Sequence, residues 1–540
     1  MTAATAGRAF DAIVLGAGAN GLVAAAALGQ AGRRVLLLDS AGDVGEECVP
    51  REFAPGFRSA SLSLDAGWLP ATVTRGLSLA VPPMVEPLYA MSVESGGGEF
   101  LSVARDPARA APVIRRHSPR DADRWPRFVA DLRGLARFLE ALYQVAPPDI
   151  DATSVGEVAT LLGMGRKFRA LGREGMTDLL RVLPMPIQDM LDDNLECDAL
   201  KAGVAAGGVR DLRQGPRSGG TAFVLLHHLV GAPTGSIRER SWWRDGPDAF
   251  CLAATAAAKR SGVTTRTGAR VARVLVADDA VVGIVLASGE EIRGRCVVST
   301  LDPRRTLSEL IDPVWLDPEF LLAVRNIKYR GCVAIVEYAL DGLPTFGGLE
   351  DPSGTLAGVV SLTSTTAALE RAADAAKYGA VAERPHVELT VPTLRWPALA
   401  PPGKHVLVAR VHYAPYALKD GAWDDARASR LADRATTAIR EVSSDFGERV
   451  LSRRVLTPPE IEAQYGITEG ASTHGALMLD QILFMRPVPG WGRYAMPIPG
   501  LYLGGAGAHP GPGVVGGAGW LAAQRILADA KRPKRAGVSR

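Results

Sequence analysis

The chain has 540 residues of ordinary globular composition, 47% hydrophobic and 22% charged, enough for more than one domain and a large core. Its 61 basic and 58 acidic residues leave a net charge of +3, too small a surplus for a nucleic-acid-binding surface. The five cysteines, at 48, 197, 251, 296 and 332, show no CxxC or CxxxxC spacing and no Cys/His cluster with metal-ligand spacing, which predicts reduced thiols, no metal and no dithiol–disulphide chemistry.

Residues 1–9 read as a loose tail. Residues 11–15 form an apolar, β-branched run of strand length, followed by Gly16-Ala17-Gly18-Ala19-Asn20-Gly21. A helix-like stretch then runs to Ala31, and a second strand over 35–38 ends in Asp39. That is the order of a dinucleotide-binding βαβ unit. Gly16 allows the tight turn, Gly18 leaves room for a pyrophosphate, and Gly21 lets the helix pack closely on the strand. The helix N-terminus offers N–H groups to phosphates, and Asp39 is spaced to accept hydrogen bonds from a ribose. Asn20, Gln30 and the glycine turn interrupt the apolar stretch 13–31, so it reads as this unit rather than a membrane span or leader. The expectation is a cytoplasmic protein.

After Asp39 the chain enters Val44-Gly45-Glu46-Glu47-Cys48, then Pro50, Pro55 and Gly56, with no helical period. Such an excursion suits an extended cofactor, FAD, better than NAD. Arg51 and Arg58 follow it as candidate contacts to phosphate or a substrate carboxylate, with a solvated face as the plainer reading. From about 121 to 228 the pattern is helical, with Phe128, Leu132, Leu135, Leu139 and Leu142 on one face. Further helices are predicted over 171–195, 199–209 and 249–261. Strands over 269–276, 280–286 and 291–299 are separated by turn signals and are expected to extend the first sheet.

A second strand-rich zone covers 331–340, 386–394 and 404–413, with helices over 366–378 and 422–445. At the end, a strand over 500–503 runs into a glycine-rich turn, 504–513, and a helix over 514–530. This repeats the strand–turn–helix logic, with a dipole that would stabilise an anionic reduced flavin. The fold predicted is α/β. A Rossmann-type FAD-binding domain is assembled from the discontinuous segments 8–110, 241–305 and 486–530. Added to it are a mostly helical insertion, 111–240, and an α+β substrate domain, 306–485. The basic tail, 531–540, reads as a solvated end, with peripheral contact to an anionic membrane surface as the alternative.

The stretches DAIVLGAGANGLVAAAALGQAGRRVLLLD, GPRSGGTAFVLLHH, VVSTLDPRRT and DQILFMRPVPGWGRYAMPIPGLYLGGAGAHPGPGV give the chain a likeness that covers nearly its whole length. It resembles the phytoene-desaturase-like flavoproteins, and within them the pyridine nucleotide-disulphide oxidoreductase domain proteins. The resemblance implies FAD held by Gly16, Gly18, Gly21 and Asp39, with Val271 flanking the adenine, and Ala19, Asn20, Gly45 and Glu46 are further candidate contacts to the cofactor. It sets Gly505, Ala506, His509, Gly513, Val514 and Val515 along the flavin ring. Several positions depart from the family pattern: Gly45-Glu46 replaces a glycine doublet, Arg244–Asp248 a glycine-rich stretch, and His509-Pro-Gly-Pro512-Gly513 a run of three glycines. The segment around His474 differs too.

The function expected is an FAD-dependent dehydrogenase or desaturase that moves a hydride from a carbon of a small, apolar organic substrate to flavin N5. Its electron acceptor is oxygen, a quinone or another carrier. His509 and His474 are the candidates for proton handling, with a structural histidine as the alternative for each. The rival readings are an oxidase of a polar or amine substrate, a non-redox isomerase, and a non-catalytic binding or scaffold protein on the same fold.

Overall fold

All four residues of the strand Ala12–Leu15 are buried, as a central parallel strand covered on both faces requires. It pairs in parallel with Val35–Leu38 on one side and Val297–Ser299 on the other. Leu501–Leu503 and Thr264–Arg266 complete a five-stranded parallel sheet, whose strands come from the beginning, middle and end of the chain. The computed structural model describes residues 9–148, 155–232, 234, 236–238 and 240–531. The basic tail beyond Lys531 and the first eight residues lie outside them.

Helix Ala19–Gln30 packs between Ala249–Arg260 and Gly517–Asp529. The contact with the last helix is backbone to backbone. A Cβ on Gly519 would lie 1.9 Å from the Asn20 carbonyl oxygen, and Asn20 Oδ1 accepts the Gly519 N–H at 3.2 Å. The helical insertion buries Phe128, Leu132, Leu135 and Leu139 of Pro119–Tyr143, the face the sequence marks. The predicted helix over 171–195 is two helices, Gly172–Val182 and Ile187–Asp192, because Pro184 and Pro186 cannot continue the first.

Two expectations differ from the structure. Strands Tyr89–Gly96 and Glu99–Ala104 lie outside the parallel sheet of the nucleotide domain, whose first segment the sequence extends to residue 110. They join a seven-stranded mixed sheet through Val360–Ser361, a partner so distant in sequence that alternation alone cannot reveal it. The hairpin Val271–Ala277 and Ala280–Leu286 does not extend the parallel sheet either. Asp278 and Asp279, both left-handed at φ +48° and +59°, close a tight antiparallel turn. With Glu291–Arg293 the hairpin forms its own three-stranded sheet.

The seven-stranded sheet turns different chemistry to its two faces. Leu407, Ala409 and Val411 of His405–His412 pack with Val387 and Leu389 against Leu431, Ala435 and Ile439 of helix Asp425–Arg440. By the two-residue period of a strand, Arg410, His412, His386, Glu388 and Glu337 occupy the other face. Glu337 is fully buried there and accepts from Ser61 Oγ at 2.5 Å and Arg454 Nε at 2.7 Å. Arg454→Ala leaves this carboxylate buried without its cation, and the expected loss of unfolding free energy is about 3–5 kcal/mol. Urea denaturation measures it; a loss within experimental error of zero would refute the pairing. Among the described residues no helix is long and apolar enough to cross a membrane.

Candidate functional site

A cavity of about 1000 Å³ lies between the parallel sheet and the polar face of the seven-stranded sheet. Its nucleotide end is built by the first glycine turn. Gly16 takes φ +93°, and a Cβ there would sit 2.5 Å from Thr300 Oγ1. A Cβ on Gly21 would sit 1.8 Å from the Gly16 carbonyl oxygen, whereas one on Gly18 would meet nothing within 4 Å. Two of the glycines are therefore demanded by the protein's own packing. The third borders open space at a helix N-terminus, the geometry a pyrophosphate needs.

Asp39 accepts the Ala17 N–H at 2.5 Å and the Ala41 N–H at 2.8 Å. It fixes the turn, and each oxygen keeps a second acceptor position for a ribose hydroxyl. Gly16, Gly18, Ala19, Asn20, Asp39, Gly45, Glu46 and Val271 all border the cavity. From the C-terminal turn so do Ala506, Gly513, Val514 and Val515. This cradle fits an FAD.

Where Gly45-Glu46 replaces a glycine doublet, only the first position has a backbone that requires glycine. Gly45 is left-handed at φ +71° and abuts Cys251, while Glu46 is not in the left-handed region. Glu46 turns to Arg51 at 2.6 Å, and burial outweighs that ion pair, so its carboxyl pKa is raised. Arg58 caps the Pro50 carbonyl instead of reaching the site. The cysteines are less isolated than their spacing suggests: Cys251 donates to Cys48 across 3.8 Å, lowering the Cys48 pKa and raising its own.

Gly21, Gly505 and His509 stand behind the cavity wall. A Cβ on Gly505 would lie 2.1 Å from the Thr300 carbonyl oxygen, so it serves close packing. His509 is buried, with Nε2 at 3.3 Å from the Leu142 carbonyl and its ring edge-on to Tyr143. Burial lowers its pKa to about 4. This neutral imidazole braces the glycine turn against the helical insertion, a different place from the proton-handling position the sequence suggests. His474 does border the cavity, with Nδ1 buried and unpartnered, and burial lowers its pKa also. Arg486 holds its loop by donating to the carbonyls of Thr473 at 2.6 Å and Gln481 at 3.2 Å.

The sequence reading missed the opposite wall. His227 bonds Tyr143 Oη and the Pro512 carbonyl, both at 2.8 Å, tying the insertion to the C-terminal turn. His228, Asp65, Arg210, Asp211, Arg240 and Arg410 border the cavity beside it. Burial alone would raise the Asp65 pKa, but Arg240, Arg395 and Arg210 outweigh it and bring it to about 2. One signal was available: Arg410 interrupts the apolar positions Val406 and Val408 on one face of a strand.

A glycine cradle on a discontinuous parallel sheet, open to a second-domain cavity, defines an FAD-dependent oxidoreductase fold. The chain belongs to the flavin-containing amine oxidoreductase family, whose pattern matches residues 193–527, while residues 14–68 match an NAD(P)-binding Rossmann-like domain. It is similar to pyridine nucleotide-disulfide oxidoreductase domain-containing protein 2 of Rattus norvegicus, 33% identical over 97% of this chain and 94% of the rat protein. Phytoene desaturase (lycopene-forming) of Pseudescherichia vulneris is 24% identical over 93% of this chain and 96% of its own. Among solved structures, cyclohexylamine oxidase from Brevibacterium oxydans matches with a TM-score of 0.57 and 14% identity, over 97% of this chain and 100% of its own. At that identity the likeness is one of fold. The cofactor is FAD.

Proposed function

We propose that the chain is a dehydrogenase or oxidase that removes a hydride from a carbon of a small organic substrate, seated between the glycine cradle and the polar face of the seven-stranded sheet. The observation that carries this reading is the cavity bordered by both. Gly16, Gly18 and Asp39 would hold the dinucleotide, and Gly513 to Val515 would lie along its ring. FAD, when bound, supplies the two-electron acceptor, and oxygen, a quinone or another carrier regenerates it.

The chain's own residues orient and enclose. Trp68 donates its N–H to the Gly513 carbonyl at 2.9 Å and accepts the Val515 N–H at 2.7 Å, so the turn facing the ring cannot drift. His474 and His228 offer neutral imidazoles to the cavity, and either is suited to take the proton lost from the atom next to the oxidised carbon. A wholly apolar substrate does not suit the wall of Arg210, Arg240 and Arg410, because it would desolvate charged groups and return no hydrogen bonds. A substrate that carries at least one polar or charged group suits this wall better than the apolar one the sequence suggests.

The purified protein is expected to show visible flavin absorption that bleaches anaerobically with an oxidisable organic substrate, more slowly when the oxidised carbon carries deuterium. Bleaching without an isotope effect would count against hydride removal as the slow step. A protein that takes up no FAD would overturn the reading.

A further inference from the structure

Arg210 is an unusual group in this cavity. It makes no hydrogen bond to any described residue, and its buried Nε has only a long ion-pair contact with Asp211. Its ion-pair partners, carboxylate oxygens of Asp65 and Asp211, are each 3.5 Å away. Both carboxylates are engaged by other cations: Asp65 by Arg240 at 3.0 Å and Arg395 at 3.3 Å, and Asp211 by Arg410 at 2.5 Å. The third acid of the cluster, Glu388, is held by Arg238 and by Arg240 at 3.4 Å, with His386 Nε2 at 3.5 Å. Arg410 also keeps a buried, unpartnered Nε.

Five guanidiniums thus share three carboxylates. The other titratable groups facing them do not restore balance. His228 and His412 are kept neutral by burial, and a proton on His386 would only add to the excess. A surplus of two positive charges in a cluster that is largely buried, with Arg210 keeping 24% of its side chain open to the cavity, favours an anion there. Burial and the neighbouring Arg240 pull the Arg210 pKa down to about 10, in keeping with a cation that lacks an adequate partner.

We propose that the substrate carries an anionic group, a carboxylate or a phosphate, and that Arg210, flanked by Arg240 and Arg410, is its seat. This rests on the dehydrogenase reading and names the substrate class for it. A guanidinium presents parallel N–H donors in a planar fork that matches either anion. The seat lies with the polar face of the seven-stranded sheet, whereas the cofactor's own phosphates belong at Gly18 on the other side of the cavity. An anion fixed there would determine which carbon of the substrate faces the ring.

The test is binding, measured by calorimetry and by thermal shift on FAD-loaded protein with acetate, benzoate and inorganic phosphate, and with benzamide as the neutral isostere of benzoate. At least one anion is expected to bind and raise Tm while benzamide does not. Benzoate against phosphate separates the carboxylate from the phosphate form. Arg210→Gln should weaken the anion about tenfold or more while keeping full FAD content and dithionite bleaching. Arg210→Lys, which keeps the charge but loses the fork, should fall between. Failure of every anion to bind the parent protein at millimolar concentration overturns the proposal, as does undiminished affinity in folded Arg210→Gln. Either result leaves the flavin signal intact, so it is distinguishable from failure of the dehydrogenase reading, in which FAD itself is not taken up or not reduced.

Discussion

Gly21→Ala is expected to give a protein that retains no FAD and melts well below the parent, whereas Gly18→Ala should melt as the parent does and bind FAD about tenfold more weakly, a loss of roughly 1.4 kcal/mol. The difference follows from what each added methyl meets. At Gly21 it would lie 1.8 Å from a backbone oxygen of Gly16, an atom that cannot rotate aside. The first helix must move off the strand, and with it the turn proposed to hold the cofactor. Overpacking of a core costs about 1–3 kcal/mol even where side chains can yield, and here the obstacle is main chain. At Gly18 the backbone has φ −71° and ψ −177°, which alanine adopts freely, and the methyl meets no protein atom within 4 Å. Only a ligand approaching that backbone can register it. Flavin released per protomer and Tm decide the matter. A folded, FAD-replete Gly21→Ala would show that the helix can yield at this contact, and a Gly18→Ala with unaltered FAD affinity would show that the pyrophosphate does not sit on this turn.

These glycines were legible in the sequence because the constraint on them is local. Strand, turn, helix and acidic residue fall within thirty residues of one another, and each has its own compositional mark. The C-terminal turn was readable for the same reason. What sequence could not supply is the pairing of distant segments. Tyr89–Gly96 alternates as well for one sheet as for another, and only its register with Val360 and Ser361 assigns it to the second domain. Cys48 and Cys251 are 203 residues apart and touch. Spacing rules detect cysteine pairs on one loop, not pairs brought together by a fold.

The charged wall is the more instructive omission. Asp65, Arg210, Arg240, Glu388 and Arg410 come from five separate stretches, and each taken alone reads as a solvated charge. What converts them into a site is their convergence in one ion-pair cluster, in which Glu388 is only 4% exposed and the others are half-buried against the cavity. His509 failed in the opposite sense. It stands in a conspicuous glycine-rich motif, yet the fold spends it on the Leu142 carbonyl and the Tyr143 ring. A motif marks where the backbone is constrained; which side chain reaches the cavity is decided by the elements packed behind it.

The buried histidines make the second large expected effect one of acid lability. Burial lowers His227 and His509 from 6.5 to about 4 and His412 to about 3. In the unfolded chain each titrates at its ordinary value, so below that value the unfolded state binds protons that the folded state refuses. The sign is therefore fixed: their contribution is whole above about pH 6.5 and is lost as pH falls toward the folded values. The slope is about 1.4 kcal/mol per pH unit for each histidine. Asp65 acts in a lower window. Its folded pKa of about 2 lies under the ordinary 3.8, so its contribution is lost only as pH drops from about 4 toward 2. Urea midpoints measured between pH 7.5 and 4 should fall steeply once the unfolded histidines charge, well before the carboxylates titrate. His509→Gln keeps a donor for the Leu142 carbonyl and removes the titrating ring. It should flatten the profile by one histidine's share, and adding His227→Gln by a second. A parent profile that stays level down to pH 4 would mean that these imidazoles are charged in the native protein. The brace between the helical insertion and the C-terminal turn would then be an ionic one.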